Sequence, residues 1–465
     1  MGLKKKKLLL INPANQKRRG LGMRKLSTYP PLSLAIIASL TPDHWEVKII
    51  DENFDAFEFE EADLVGFTSF TSTAPRAYEL ASIFREHDIS TVMGGIHASM
   101  LPGEAALFID AVVVGEAESV WGQLLHDFEN NALKKIYKGE LLELGGQPIP
   151  RHDLLSKKYL FSAIQTTRGC PMQCDFCSVS TFNGCQYRVR PIPEILDELE
   201  TLPTKLVFFY DDNIIGYGTK SQERAIALFK GIVERRIRIE WLGQASINFA
   251  DNTEVLKWAA RSGCRMVLIG IESEKTDQLK EAGKKMNLHM GVDAYAGVFR
   301  KIHRYGISIL GAFIFGMDSD SVHSLRERAD YILKSSVDAW QTTILTPLPG
   351  TGLYERLKSE NRILHTNYPE DWSRYDFTEP LILPKLMSNS ELSDTMREVW
   401  TRIYNRKTVR KQLRRSVWNL RNFKHAMWGY VTNYNNYCMN FEEKISSEDP
   451  RYAHWLVSEK AAYKP

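Results

Sequence analysis

No cysteine precedes Cys170 in this 465-residue chain, and only six occur in all. Three of them crowd into Cys170, Cys174 and Cys177, so metal ligation in a reducing compartment explains them better than a disulfide framework. No apolar run reaches the roughly 20 residues that span a bilayer, and no transmembrane helix is expected. Large net charge is missing too: 60 Lys and Arg against 57 Asp and Glu leave +3, too little to draw nucleic acid to the whole surface, which is not an expected partner. Lys4 to Lys7 ahead of Leu8–Ile11 imitate a signal peptide, but Asn12, Pro13 and Asn15 end the apolar run early. We read a first strand of a cytoplasmic protein. With 43% hydrophobic and 25% charged residues the composition is globular, and the length suits two or three domains.

What is present is an alternation of short apolar runs with helical patterns. Leu8–Asn12, Val47–Ile50, Leu64–Phe67, Thr91–Gly94 and Ala111–Val114 read as strands, with helices such as Leu32–Leu40 and Ala74–Arg85 between them. Apolar strands separated by helices predict a doubly wound parallel α/β sheet over residues 1–140, with ligands beyond the carboxyl ends of its strands. The candidate ligand residues follow the strands: Tyr29, Pro31 and Leu32; Thr68 and Ser69; Gly94, Gly95 and His97; Gly115 and Glu116. Residues 141–158, rich in glycine and proline, read as a linker.

Over 159–370 six further strands are expected, at Leu160–Thr166, Leu206–Tyr210, Ile239–Gln244, Met266–Glu272, Ile307–Gly316 and Trp340–Thr346. Six strand–helix units suit a partial (β/α)6 barrel, active at the carboxyl ends of its strands. Residues 371–465 read as a smaller helical, aromatic-rich region.

Cys170-Pro-Met-Gln-Cys174-Asp-Phe-Cys177 directly follows the first strand of that second half. Three thiolates can hold a [4Fe–4S] cluster with one iron open to another ligand; a closed zinc knuckle completed by Cys185 or a histidine, within a non-catalytic metal-bearing binding module, is the rival reading. The C-x3-C-x2-C spacing resembles the signature of the radical S-adenosylmethionine superfamily. That resemblance implies that Cys170, Cys174 and Cys177 hold the cluster, that S-adenosylmethionine chelates the open iron, and that a flavodoxin or ferredoxin type reductant drives its cleavage to a 5′-deoxyadenosyl radical. It further implies S-adenosylmethionine contacts from Phe176, Asp212, Gln244, Ser246, Glu272, Phe313 and Ile314; Met317 stands where many relatives carry proline.

The segments Gly94-Gly-Ile-His97-Ala-Ser99, Pro102-Gly-Glu104 and Val114-Gly115-Glu116-Ala-Glu118 resemble the cobalamin-binding domain of one radical S-adenosylmethionine class, as do Tyr29-Pro-Pro-Leu32 and Asp51-Glu-Asn53. Because D-x-H-x-x-G is absent, cobalamin is expected to bind without a histidine from that motif. With no amino-terminal cysteine, the branch carrying a second cluster is excluded. The resemblance implies methylation of an unactivated carbon in a lipid, peptide or specialised metabolite, or alternatively a radical cyclase or carbon–carbon bond former using cobalamin differently or not at all.

Arg402, Arg406, Lys407, Arg410, Lys411, Arg414, Arg415, Arg421 and Lys424 fall in the stretch between Glu398 and Glu442 that lacks acids. Val409, Leu413, Val417, Leu420 and Met427 recur at helical spacing, which predicts an amphipathic basic helix. Its apolar stripe could dock on an anionic membrane, giving peripheral contact at the inner face and a lipid or other membrane-held substrate.

Overall fold

The computed structural model describes residues 5–15 and 29–440. Strands β1 (Lys6–Asn12), β2 (Trp45–Asp51), β3 (Leu64–Thr68), β4 (Ser90–Gly94), β5 (Ala111–Val114) and β6 (Ile136–Lys138) form one parallel sheet in the order β2-β1-β3-β4-β5-β6. Leu8, Leu9, Leu10 and Ile11 are buried on both faces, as a central strand covered by two helical layers requires. The order reverses between β1 and β3, and a ligand crevice opens at such a switch point. The loops after β1 and β3 therefore flank it.

A two-stranded antiparallel ribbon, β8 (Thr167–Arg168) with β9 (Arg188–Val189), follows β7 (Ser162–Ile164). β7 then pairs with β10 (Leu206–Phe209), and β11 (Glu240–Ala245), β12 (Cys264–Glu272), β13 (Ser308–Phe315) and β14 (Ala339–Ile344) continue the sheet in sequence, all parallel. Uniform winding puts every helix on one face, so the other face becomes a lumen. Val267, Ile269, Ile309, Phe313 and Trp340 pack outward among helices, whereas Leu242, Met266, Leu310 and Ala339 share an inner cluster with Phe208, Leu268, Tyr29 and Trp428.

From Asn389 the chain is helical, over Asn389–Ile403, Arg406–Leu420 and Phe423–Asn440. Leu392, Met396, Val399 and Ile403 enter the outer core of the barrel. The last helix begins beneath the strands, where Ser308 Oγ donates to the His425 carbonyl at 3.0 Å, and passes along the open edge of β14. There Asn433 Oδ1 accepts from Trp340 N (3.0 Å), Asn433 Nδ2 donates to the Asp338 carbonyl (2.9 Å) and Asn436 Nδ2 to the Trp340 carbonyl (2.8 Å). Two asparagines thus occupy backbone groups that an edge strand leaves open.

Candidate active site

The cysteine loop is closed at its base by the β8–β9 ribbon. Gly169 has φ +90°, and a Cβ there would lie 2.1 Å from the Gln186 carbonyl oxygen, so only glycine lets the two arms cross just before Cys170. Cys170 N donates to the Gly184 carbonyl at 3.2 Å, and Leu353 N, in the first turn of the Gly352–Ser359 helix, donates to the Asp175 carbonyl at 3.0 Å. The three thiols are half-buried. Burial raises Cys174 and pushes Cys177 up to about 12, and each feels the neighbouring thiols. Iron would restore the thiolates by supplying the missing positive charge. Among the described residues no three His, Cys, Asp or Glu side chains converge as ligands of one ion. Three thiols on one loop would each take a separate iron of a polynuclear cluster.

Phe176 and Ile314 share an apolar cluster with Ala282, Met317, Leu345 and Leu353; Phe176 and the last four line an open-sided recess rimmed by Asp175, Glu281 and Arg356. Met317, the departure from proline, is buried in its apolar wall. Phe313 must be corrected: strand alternation turns its ring outward onto Tyr331, with centroids 6.3 Å apart, away from the lumen.

Asp212 accepts from Asn183 Nδ2 at 3.1 Å, and burial pushes its carboxyl up to about 6. Its neighbours are occupied: Asp211 holds Thr166 and Thr167, and Asn213 donates to Ser246 Oγ at 3.0 Å. Gln244, on β11, is half-buried two residues before Ser246. Tyr217, not singled out from the sequence, links Ser246 Oγ at 3.0 Å to Cys170 Sγ at 3.6 Å. Glu272, buried at φ +61° after an irregularity in the β12–β13 pairing, accepts from Lys284 Nζ at 2.9 Å. Burial would pull the Lys284 ammonium down, but Glu272 and Cys174 outweigh it and hold it above the ordinary lysine value. Neither Tyr217 nor Lys284 lies in a recognisable motif; only the tertiary fold brings them to the thiols.

In the amino-terminal domain the loops that flank the crevice touch one another closely. Gly95 has φ +94°, and a Cβ there would come within 3.0 Å of both Ser69 N and Ser69 O. The glycine therefore permits a close contact between the two loops. Gly94 has room for a Cβ. Thr68 Oγ1 meets Ser33 Oγ at 3.3 Å, and Ser69 Oγ donates to the Phe70 carbonyl at 2.7 Å. Gly115 N donates to Ser99 Oγ at 2.9 Å. Phe70 itself is 71% exposed beyond the carboxyl end of β3, an uncovered apolar ring that fits the face of a large macrocycle such as cobalamin.

Three expected ligand residues have protein partners of their own. His97 is fully buried, its Nε2 within 3.0 Å of Tyr78 Oη and 3.3 Å of Glu104, and its ring lies edge-on to Trp372. Glu116 receives both terminal nitrogens of Arg188 at 2.9 and 2.5 Å and Leu142 N at 2.9 Å, so it joins the two domains. Tyr29 packs on Phe208 of the barrel, with centroids 4.6 Å apart, and Tyr210 Oη donates to the Pro30 carbonyl at 2.8 Å. Leu32, following half-buried Pro31, is buried at the wall of an open-sided junctional hollow with Leu142, Gln165 and Arg168. What brings the two candidate sites together is contact between the helices after their loops: Ile96–Met100, beyond Gly95, packs on Val179–Asn183, beyond Cys177.

Comparison with known proteins agrees with this arrangement. Residues 21–125 match the B12 binding domain model and 164–332 the Radical SAM superfamily model. The chain is 31% identical over 425 residues to bacteriochlorophyllide d C-12(1)-methyltransferase of Chlorobaculum tepidum, covering 88% of this chain and 90% of that protein. It is 29% identical to hopanoid C-2 methylase of Rhodopseudomonas palustris, covering 76% and 68%. The fold superposes on the radical S-adenosylmethionine methyltransferase TsrM from Kitasatospora setae, solved with cobalamin and a [4Fe-4S] cluster, with TM-score 0.63 at 17% identity, covering 84% and 85% of the two chains. With a cysteine loop and a doubly wound ligand crevice held against each other, the chain belongs to the family of cobalamin-dependent radical S-adenosylmethionine methyltransferases.

Proposed function

We propose that the protein methylates an unactivated carbon of a small molecule with a largely apolar body, held in the barrel lumen between the two cofactor sites. The observation that carries this reading is the packing of Ile96–Met100 on Val179–Asn183, which faces the crevice of the first domain toward the rim of the second. The lumen floor of Leu242, Met266, Leu310 and Ala339 is apolar, whereas Gln244 and Ser246 end their strand in polar groups. A bacteriochlorophyllide and a hopanoid are named for the two relatives.

When bound, the cofactors supply one-electron cleavage of S-adenosylmethionine and a transferable methyl group. The chain supplies position. Cys170, Cys174 and Cys177 would hold the cluster; Phe176 and Ile314 would sandwich an aromatic base; Glu272 and Lys284 present one acceptor and one cation for the rest of S-adenosylmethionine; Phe70 would cover a macrocycle face. Tyr29 and Trp428 close the lumen from the side and below, which excludes water from a radical step. Pro171 and Gln173 are exposed, leaving an approach for a flavodoxin or ferredoxin type reductant.

The test is anaerobic reconstitution with iron, sulfide and cobalamin, followed by incubation of cell extract fractions with S-adenosylmethionine deuterated at its methyl group. A product heavier by one labelled methyl group in place of hydrogen is expected. Deoxyadenosine formed with no label transferred to any fraction would refute methylation and favour the cyclase reading.

A further inference from the structure

The basic helix is amphipathic in a sense opposite to the one its apolar residues suggest. In the Arg406–Leu420 helix, Val409, Gln412, Ser416 and Leu420 are buried against the protein, and Leu413 and Val417 are half-buried. Gln412 Nε2 donates to the Val337 carbonyl at 2.6 Å, and Arg415 caps the Leu333 and Lys334 carbonyls at 2.9 and 2.6 Å. The predicted apolar stripe is therefore consumed internally and cannot enter a bilayer.

The outward face is another matter. Lys407, Lys411, Arg414 and Trp418 follow at intervals of four, three and four, which places them in one line along the helix. All four are exposed, Trp418 by 84%. Arg421, in the left-handed conformation, then turns the chain, and Phe423 stands 63% exposed at the start of the next helix. Arg410 and Arg421 flank the line and are also exposed. Among the described residues, Lys407, Arg410, Lys411, Arg414 and Arg421 make no ion pair, although Arg402 and Lys424 in the same stretch do, with Asp330 and Glu240. Two large aromatic side chains left in water beside five unopposed cations match the polar headgroups and acyl boundary of an anionic leaflet, where aromatics anchor and basic residues attract. A nucleic-acid strand would also accept cations and rings, but it tracks a groove, and this pair stands on the convex corner between two helices.

We propose that the Arg406–Leu420 helix and the turn to Phe423 form a peripheral docking surface for an anionic lipid bilayer. The surface lies beneath the barrel: Lys424 pairs with Glu240 at the start of β11, and His425 meets Gly306 just ahead of β13 and Ser308 at its start. The cysteine loop is at the opposite, carboxyl end. A chain docked this way turns its active-site mouth from the membrane, so the surface is an anchor and not an entrance for a membrane-embedded substrate. This inference stands apart from the methyl-transfer reading.

The experiment is sedimentation of the full chain with vesicles of equal parts phosphatidylcholine and phosphatidylglycerol, or of phosphatidylcholine alone, at low and high salt. Binding is expected with the anionic vesicles at low salt only, because the attraction is screened over about 8–10 Å near physiological salt. Each lost charge should lower partitioning about five-fold, so Lys411→Gln with Arg414→Gln should lower it about 25-fold. Trp418→Ser with Phe423→Ser should weaken it while leaving circular dichroism unchanged. Brominated lipid should quench more fluorescence in the parent than in Trp418→Phe. Absence of binding to anionic vesicles at low salt, equal partitioning of parent and both double variants, or tighter binding to a single-stranded oligonucleotide than to vesicles would each overturn the proposal.

Discussion

On the reading proposed above, each cysteine of the loop would hold one iron of the cluster. Cys170→Ala, Cys174→Ala or Cys177→Ala should each abolish deoxyadenosine production and lower bound iron in a chain that still folds. Cys185→Ala, at an exposed position, should retain iron and sulfide at parental stoichiometry. The buried Lys284–Glu272 pair is equally one-sided. Lys284→Met removes the partner and leaves a buried carboxylate uncompensated, at a cost of about 3–5 kcal/mol. Adding Glu272→Leu should restore most of the stability in denaturant titrations but not S-adenosylmethionine binding by equilibrium dialysis. Gly95→Leu should destabilise the first domain by about 1–3 kcal/mol, since it imposes strain at φ +94° and a clash with Ser69. Gly94→Ala should be tolerated, and the contrast in melting temperature and cobalamin retention checks the assignment.

Elements whose burial is continuous were legible in the sequence, and those held by a few polar contacts were not. β1, β3 and β5 read correctly because runs such as Leu8–Ile11 have no other stable use. β6, a three-residue edge strand ending in Lys138, and the two-residue pairing of β8 with β9 carry no such signal. Within β13, Ile-Leu-Gly-Ala-Phe-Ile-Phe is apolar on both faces, so sequence alone could not say that Ile314 and not Phe313 turns inward. The cysteine loop was legible since its chemistry is local, while Tyr217 and Lys284 are brought in by other elements. The polar contacts at β14 are testable at this scale. Asn433→Ala leaves the Trp340 N–H and the Asp338 carbonyl without that partner, which should cost about 1–3 kcal/mol for each group left buried and speed hydrogen exchange selectively at the Trp340 amide.

For the whole molecule, the orientation of the two domains rests heavily on Glu116. Burial alone would raise its carboxyl; Arg188 and Arg168 outweigh that and hold it below the ordinary glutamate value. A lowered folded value means stabilisation fully present above the unfolded pKa of about 4.3 and lost as pH falls through the lower folded one. The junction should therefore loosen in acid below about pH 4, seen as a larger radius of gyration by small-angle scattering and faster proteolysis within 141–158. Glu116→Gln should show looser packing already at neutral pH and a shallower acid response.

The asparagines along β14 also have a bearing on how the chain is made. The first sheet is complete once Lys138 has emerged, and it can close while the barrel is still being synthesised. The barrel cannot: Trp340 waits for Asn433, 93 residues later, which at about 5–20 residues per second is roughly 5–20 s of translation. Ile344 N finds the Phe377 carbonyl and the Trp340 carbonyl finds Tyr404 Oη earlier, but throughout that interval the Trp340 N–H at the end of the edge stands without its asparagine. Nascent chains stalled before Phe423 should be the species that chaperones capture and that aggregate when chaperones are scarce.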